Sequence, residues 1–572
     1  MPNFFTDNAD LLFQFENLNI QEQVGILEDD YAQAEQFDYA PTSYEDAIDN
    51  YRRVLEMVGE LTGEQIAPRA ADVDLEGNVL IDGKVHYAKG IQQALDELTA
   101  AELMGATLPR KFGGLNFPTA VHMMTTEMIS RADASLMNLY LLQDIADTIC
   151  KYGSDEQREE FITKLASGEC TGAMVLTEPD AGSDLQAVKL HAYQDEDGNW
   201  FLRGMKRFIT NGCADILLVL ARSETDTKGA RGLSLFVCYG DKVKVRRLEH
   251  KLGINGSPTC ELQFDDTPAQ LIGKTKLGLI RYVMSLMNGA RLGIAAQALG
   301  IAEAAYGEAL KYAGERKQFD QAIRDIPPVT NMLIDMRVAL ESNRALLYST
   351  AKWVDLAETL AERVDQLKEK GEPYSDDRKR MKKAVGITEL LTPMTKYFLT
   401  ESANRVTYDA LQIHGGAGYM KEFNIERHTR DARITNIYEG TSQLQIVAAF
   451  GGVLRDVLGE HFAAKEEATH PSDLKRAADQ LKTIRALFRE ASAHVEAQED
   501  RSVADVAAKE LVELYGFLHM GYLLLDDAGR DERKKLIVNR FAVDALAKSR
   551  KNFEAIMANQ YSDLEHAGEI LD

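Results

Sequence analysis

The chain has 572 residues, with 65 Lys and Arg against 90 Asp and Glu and a formal net charge of -25. A chain of that length folds as several units, three or four at about 150 residues each, rather than around one core. The negative field over most of its surface repels nucleic-acid phosphates and anionic membranes, which argues against a DNA or RNA role. The five cysteines, Cys150, Cys170, Cys213, Cys238 and Cys260, form no CxxC pair. They read as isolated thiols in a reducing compartment, with neither a zinc site nor a disulfide framework.

In chain order, the first fifty residues carry twelve acidic side chains and no Lys or Arg. That is the reverse of a secretory n-region or a transit peptide, so the expected location is cytoplasmic. Residues 1–45 read as an acidic N-terminal arm, either packed on another surface or disordered. In 46–170 the apolar positions Ala47, Ile48, Tyr51, Val54, Leu55, Val58 and Leu61 recur at spacings of three and four, which predicts an N-terminal helical domain. Over 171–275 the texture changes to short β-rich runs, 200–209, 216–221 and 233–238, separated by turn signals such as Asp197-Gly198. This is a middle β-domain.

Long helical patterns return at 290–312, 332–367 and 381–413, with a polar linker at 368–377 and a fourth helix at 441–458. Four such helices make a bundle domain over 276–458. Residues 459–572 read as a further C-terminal helical domain with an apolar patch at 514–525. No apolar run reaches eighteen residues, so no transmembrane segment is expected.

Three segments carry candidate chemistry. The first, TEPDAGSD at 177–184, offers glycine and short hydroxyl side chains that let backbone N–H groups approach a phosphate or heterocycle, and it reads equally as a capped polar turn. The second, FITNG at 208–212, places an aromatic and a threonine two apart on a strand, where a ring can stack on a planar group while a hydroxyl bonds its edge. A core Phe is the plainer reading. The third joins QIHGGAGY at 412–419, RDAR at 430–433 and IYEGTSQ at 437–443. A glycine-rich loop, a basic segment and Glu439 just before a helix start suit an anionic ligand beside a carboxylate base. Alternatively, Glu439 is an N-terminal helix carboxylate with Thr441 or Ser442 as the cap.

Taken together with ERKQF at 315–319, these segments in this order and spacing resemble the acyl-CoA dehydrogenase family over about residues 50–455. The acidic arm and the extra C-terminal helices look like its longer bacterial members, the methylmercaptopropionyl-CoA dehydrogenase group among them. The resemblance implies a mainly α fold with an inserted β-barrel: an N-terminal helical domain, a middle β-domain, a C-terminal four-helix bundle and an extra helical domain, with FAD between barrel and bundle. By the same resemblance Thr177, Ser183, Phe208, Thr210, Arg316, Phe319, Gln412, Gly415, Gly416, Thr441 and Gln443 hold FAD. Ser183, Arg291 and Gly440 meet the acyl-CoA.

The implied reaction is α,β-dehydrogenation of the thioester to a trans-2-enoyl-CoA. Glu439 is the α-proton base, flavin N5 accepts the hydride, and electrons leave to an electron-transferring flavoprotein. Some branches place the base immediately before the arginine that matches Arg291, but that position here is Ala290. Two departures from the family pattern are Phe208, where many members have Trp, and Ile326-Pro327-Pro328, where a polar pair usually follows ERKQF. The C-terminal helices can occupy the surface that a second dimer uses in shorter relatives, which implies a homodimer. An acyl-CoA oxidase passing electrons to oxygen, a nucleic-acid-binding relative without activity and a flavin-free scaffold are the rival readings. Residues 459–572 mix both charge signs and lack the basic stripe that nucleic-acid binding needs.

Overall fold

The structure, a computed structural model, describes residues 2–498, 501–558 and 562–572. The fold is mainly α with a β-barrel inserted, and its contacts group into two compact units. The first contains the chain up to Leu12, Gln23–Ala304 and Gly416–Thr435; the second contains Phe13–Glu22, Ala305–Gly415 and the chain from Asn436 onward. Among the described residues no helix is long and apolar enough to cross a membrane.

The N-terminal residues are helical rather than an extended arm, with α1 at Ala9–Glu16 and α2 at Gln21–Leu27. Phe5, Leu11 and Val24 are buried. Glu28, just past α2, is also buried and takes both guanidinium nitrogens of Arg110, at 2.5 and 3.0 Å. An acidic composition therefore coexists with firm docking, because the charges fall between the buried apolar positions.

Helix α3, Tyr44–Glu60, starts at Ser43, whose hydroxyl accepts the Asp46 amide, and buries Ala47, Tyr51, Leu55 and Val58 on one face. Helices α4, Thr119–Ala132, and α5, Ala134–Leu141, are buried almost throughout, and Asp133 caps the second of them. The long helix α6, Met284–Glu315, begins in the first unit. Its Gln297 amide bonds Ala134 O at 2.9 Å and Asn138 at 3.0 Å. Gly300 permits this crossing, since a Cβ there would lie 2.4 Å from the Glu127 carbonyl.

The barrel strands are β1 Gly172–Val175, β2 His191–Gln194, β3 Trp200–Thr210, β4 Ile216–Arg222, β5 Leu233–Tyr239, β6 Lys244–Leu248 and β7 Thr259–Ile272. β4 pairs with β5 on one side and with β1, then β2, on the other. β2 pairs with β3, β3 with β7, and β7 with both β6 and β5, so the ring closes and leaves no long edge. β4 and β5 are buried on both faces, which explains their unbroken apolar runs.

In the second unit α7, Pro327–Lys370, and α8, Ser375–His414, run antiparallel through the turn 371–374. Past α9, Ile425–Thr435, which belongs to the first unit, α10, Ser442–Leu454, packs on α8. The helices that follow, α11 Gly459–Glu467, α12 Lys475–Glu496, α13 Arg501–Ala528 and α14 Glu532–Met557, pack on one another and on the bundle. Their docking is polar at its centre. The Glu341 carboxylate of α7, fully buried, takes Arg337 at 2.6 Å, Arg533 at 2.5 Å and the buried Lys534 at 2.7 Å. Removing such a shared acceptor leaves buried positive charge uncompensated, at a cost of about 3–5 kcal/mol. Glu341→Ala should therefore lower the thermal midpoint by several degrees and speed proteolysis around Asp531, followed by melting curves and limited digestion.

His519 in α13 is buried, and neither ring nitrogen has a hydrogen-bond partner. Burial and the neighbouring His461 push its pKa down to about 3. The unfolded imidazole takes a proton near pH 6.5 while the folded one stays neutral, so stability is full above about pH 6.5 and declines as pH falls toward 3. His519→Phe should flatten the fall in thermal midpoint between pH 6.5 and 4.5; a slope equal to wild type would remove His519 as its source.

Candidate active site

In the first unit, the turn after β1 is closed by reciprocal backbone bonds between Glu178 and Ala181, at 3.0 and 3.1 Å. Its acid is committed to structure. The Glu178 carboxylate accepts the amides of Lys189 and Leu190, each at 2.8 Å, and pairs with Lys206 at 3.0 Å. Lys206 is fully buried and also donates to Leu176 O at 2.7 Å. Burial pushes its pKa down to about 8, with Glu178 pulling the other way. Thr177 stays half-buried and Ser183 exposed.

The Arg207 amide bonds Thr177 O at 3.0 Å, and the Asn211 side chain bonds Gly172 O at 3.1 Å, so TEPDAGSD and FITNG lie side by side. The simple alternation expected for Phe208 and Thr210 is broken. The register with β7 shifts between Lys206 and Ile209, and Phe208 sits at φ 62° in that bulge. The bulge turns its ring outward, 51 % exposed, with the Arg207 guanidinium 4.5 Å from the ring centre. Arg207 is held in turn by Glu249 at 2.9 Å. Glu261, the remaining acid in this region, pairs with Arg247 at 3.1 Å and Arg246 at 3.3 Å. Arg291 on α6 is buried and donates to Asn288 at 3.2 Å.

In the second unit, the chain after α6 makes a hairpin pairing 317–318 with 321–322, whose two loop residues Phe319 and Asp320 have φ of 52° and 62°. Phe319 is 86 % exposed. The Tyr312 and His414 rings stack at 4.4 Å and bring the end of α6, carrying Arg316, to the end of α8, carrying Gln412. Gly415 at φ 60° then turns the chain out of α8. A Cβ at Gly415 or Gly416 would meet no atom within 4 Å, so the backbone there is open to close approach.

The segment 437–443 is the most constrained. Glu439 has φ 53° and Gly440 φ 87°, and the side chain of Glu439 is half-buried. Lys396 of α8 donates to Tyr438 O at 2.7 Å and Gly440 O at 2.6 Å, and Gln445 donates to Glu439 O at 3.1 Å and Gly440 O at 2.9 Å. Thr441 caps α10 by accepting the Leu444 amide, while Ser442 bonds the Glu401 carboxylate. Gln443 is exposed. Thr441 is thus the cap considered from sequence, and Glu439 stands two residues before it, in a conformation that a helix-starting carboxylate does not need.

Sequence reasoning did not single out Lys396, Glu401 or Gln445. A signal existed for the first, since Lys396 is the one charge in the otherwise apolar and small-polar run 390–400 of a long helix. In the second unit the open Gly415, the outward Phe319 and the exposed Arg316 suit a planar group bearing phosphates; among the described residues no cluster of three or more His, Cys, Asp or Glu could hold a metal ion.

Four family models match the chain in order: the acyl-CoA dehydrogenase N-terminal domain over residues 49–169, its middle domain over 173–267, its C-terminal domain over 292–443, and a further acyl-CoA dehydrogenase C-terminal model over 459–562. A 3-methylmercaptopropionyl-CoA dehydrogenase of Ruegeria pomeroyi is 36% identical over 475 residues, 78% of this chain and 76% of that protein. A chain in the structure described as an electron transferring flavoprotein of Acidaminococcus fermentans is 31% identical, with a TM-score of 0.60 over 71% of this chain and 98% of that one. An acyl-CoA dehydrogenase of Bacillus anthracis, complexed with FAD, shares the fold over 89% of this chain and 88% of its own, with a TM-score of 0.75 at 21% identity. The chain belongs to the acyl-CoA dehydrogenase family. It is an oxidoreductase acting on an acyl-CoA.

Proposed function

We propose that this protein removes the α- and β-hydrogens of an acyl-CoA thioester to give the trans-2-enoyl-CoA, with Glu439 as the base and FAD as cofactor. The observation that carries the reading is the left-handed, side-chain-fastened turn at Glu439, set against the commitment of Glu178 and Glu261 to ion pairs elsewhere. A non-glycine residue held in that backbone region marks a place where geometry is maintained against strain.

FAD supplies the hydride acceptor. Thr177, Ser183, Phe208 and Thr210 on the barrel would hold it, with Arg316, Phe319, Gln412, Gly415, Gly416, Thr441 and Gln443. Ser183, Arg291 and Gly440 would meet the substrate. The Glu439 carboxylate takes the α-proton, and its own backbone N–H donates to the thioester carbonyl oxygen, where charge develops as the proton leaves. Electrons pass to an electron-transferring flavoprotein. The polar docking of α14 on α7 supports a homodimer, because those helices cover bundle surface that a further subunit would need.

Anaerobic mixing of the yellow protein with a panel of acyl-CoAs, of straight, branched and thioether chains, should bleach the flavin and identify the substrate class. Glu439→Gln should retain flavin and bleach about 10²–10⁴-fold more slowly, the range for a lost general base. Bleaching at the wild-type rate would show that the base lies elsewhere, and peroxide formation exceeding flavoprotein reduction would make the protein an oxidase.

A further inference from the structure

We infer that Lys396 is the positioning residue of the base: its buried ammonium holds the Glu439 turn in the one backbone conformation that aims the carboxylate. The inference rests on Glu439 being the proton acceptor.

Lys396 lies in the middle of α8, among the buried residues Pro393, Met394, Tyr397 and Phe398, and is itself 0 % exposed. A helical lysine ordinarily extends its stem along apolar surface and leaves its ammonium in water. Here the ammonium is kept inside, where an uncompensated charge is costly and a leucine or methionine would fill the space without penalty. Two of its acceptors are not random carbonyls. They are those of Tyr438 and Gly440, the two residues that flank Glu439, at 2.7 and 2.6 Å.

Carbonyls at i and i+2 of an extended chain point the same way along a strand and cannot close on a single nitrogen from within a tight turn. They converge on Lys396 because Glu439, between them, adopts φ 53° and Gly440 φ 87°. The ammonium and the left-handed turn therefore specify each other. Gln445 adds a second clamp, reaching Glu439 O and Gly440 O from the first turn of α10. Three consecutive carbonyls are thus turned toward side-chain donors, which fixes the peptide planes on both sides of the Glu439 Cα. The direction of its side chain and of its amide follows from those planes. A reacting group displaced by about 1 Å loses on the order of 10²-fold in rate.

The test compares wild type, Lys396→Met, Lys396→Ala and Glu439→Gln as FAD-loaded proteins. Exchange of the substrate's α-proton with D2O and kcat are measured beside flavin content, acyl-CoA Kd and thermal midpoint. Lys396→Met should keep flavin content and Kd within about twofold while α-proton exchange and kcat fall together by on the order of 10². Lys396→Ala should recover saturably on addition of ethylammonium or propylammonium, which a purely packing role would not allow. Wild-type exchange in Lys396→Met, or a loss that merely follows lost flavin, overturns the inference. If the methionine variant does not fold, amine rescue of Lys396→Ala decides alone: no recovery overturns it. Wild-type exchange in Glu439→Gln would instead remove the base assignment itself, a result distinct from any of the Lys396 outcomes.

Discussion

Holding a side chain other than glycine in the left-handed backbone region costs on the order of 1–3 kcal/mol, and the conformation survives only where its surroundings over-determine it. The Glu439 turn meets that condition through donors from two helices, Lys396 on α8 and Gln445 on α10. Two of the predicted cofactor residues share the property: Phe208 at φ 62° and Phe319 at φ 52°. In each case the local device differs. A bulge turns Phe208 out of β3, a two-residue hairpin loop presents Phe319, and a buried ammonium fixes Glu439. What they have in common is that strain is stored where a side chain must face away from the core that a regular strand or helix would bury it against.

The barrel end shows the complementary arrangement, in which charge is neutralised rather than presented. Glu178, Glu249 and Glu261 all lie near the candidate aromatic, and each is satisfied by a cation or by backbone amides. A carboxylate so engaged is a poor base, because proton uptake would break the bonds that stabilise its ionised form. The turn at Glu439 is fastened instead through the backbone carbonyls of Tyr438, Glu439 and Gly440, which makes the position rigid without using its carboxylate as the anchor for those bonds.

Much of this was legible in the chain itself. The runs at 200–209, 216–221 and 233–238 became β3, β4 and β5 with ends shifted by one residue; β4 and β5, buried on both faces, stood out as continuous apolar stretches. β7, Thr259–Ile272, was hidden: it carries Glu261, Asp265, Asp266 and Pro268, since one stretch pairs with arginines and another lies exposed. The linker expected over 368–377 contracts to 371–374 because charged residues such as Lys370 and Asp376 are compatible with helix ends. The acidic composition of residues 1–45 concealed their docking, which depends on a few buried apolar positions and the Glu28–Arg110 pair. At the site, motif order pointed to Glu439, while Lys396 escaped notice because a side chain that acts on backbone carbonyls far along the chain leaves no local pattern.

Among the described residues three lysines are fully buried: Lys206, Lys396 and Lys534. Burying an ammonium brings little net stability even when it is well paired, since desolvation consumes most of the Coulombic gain. Their value is geometric. Lys206 joins the barrel strand before Phe208 to the TEPDAGSD turn through Leu176 and Glu178, Lys396 joins α8 to the Glu439 turn, and Lys534 joins α14 to Glu341 of the bundle. Apolar contacts tolerate sliding by a fraction of a side chain, whereas a buried ammonium is satisfied in only one register. Each lysine therefore fixes the placement of a segment that hydrophobic packing alone would leave free to shift, and two of the three fix segments that bear candidate site residues.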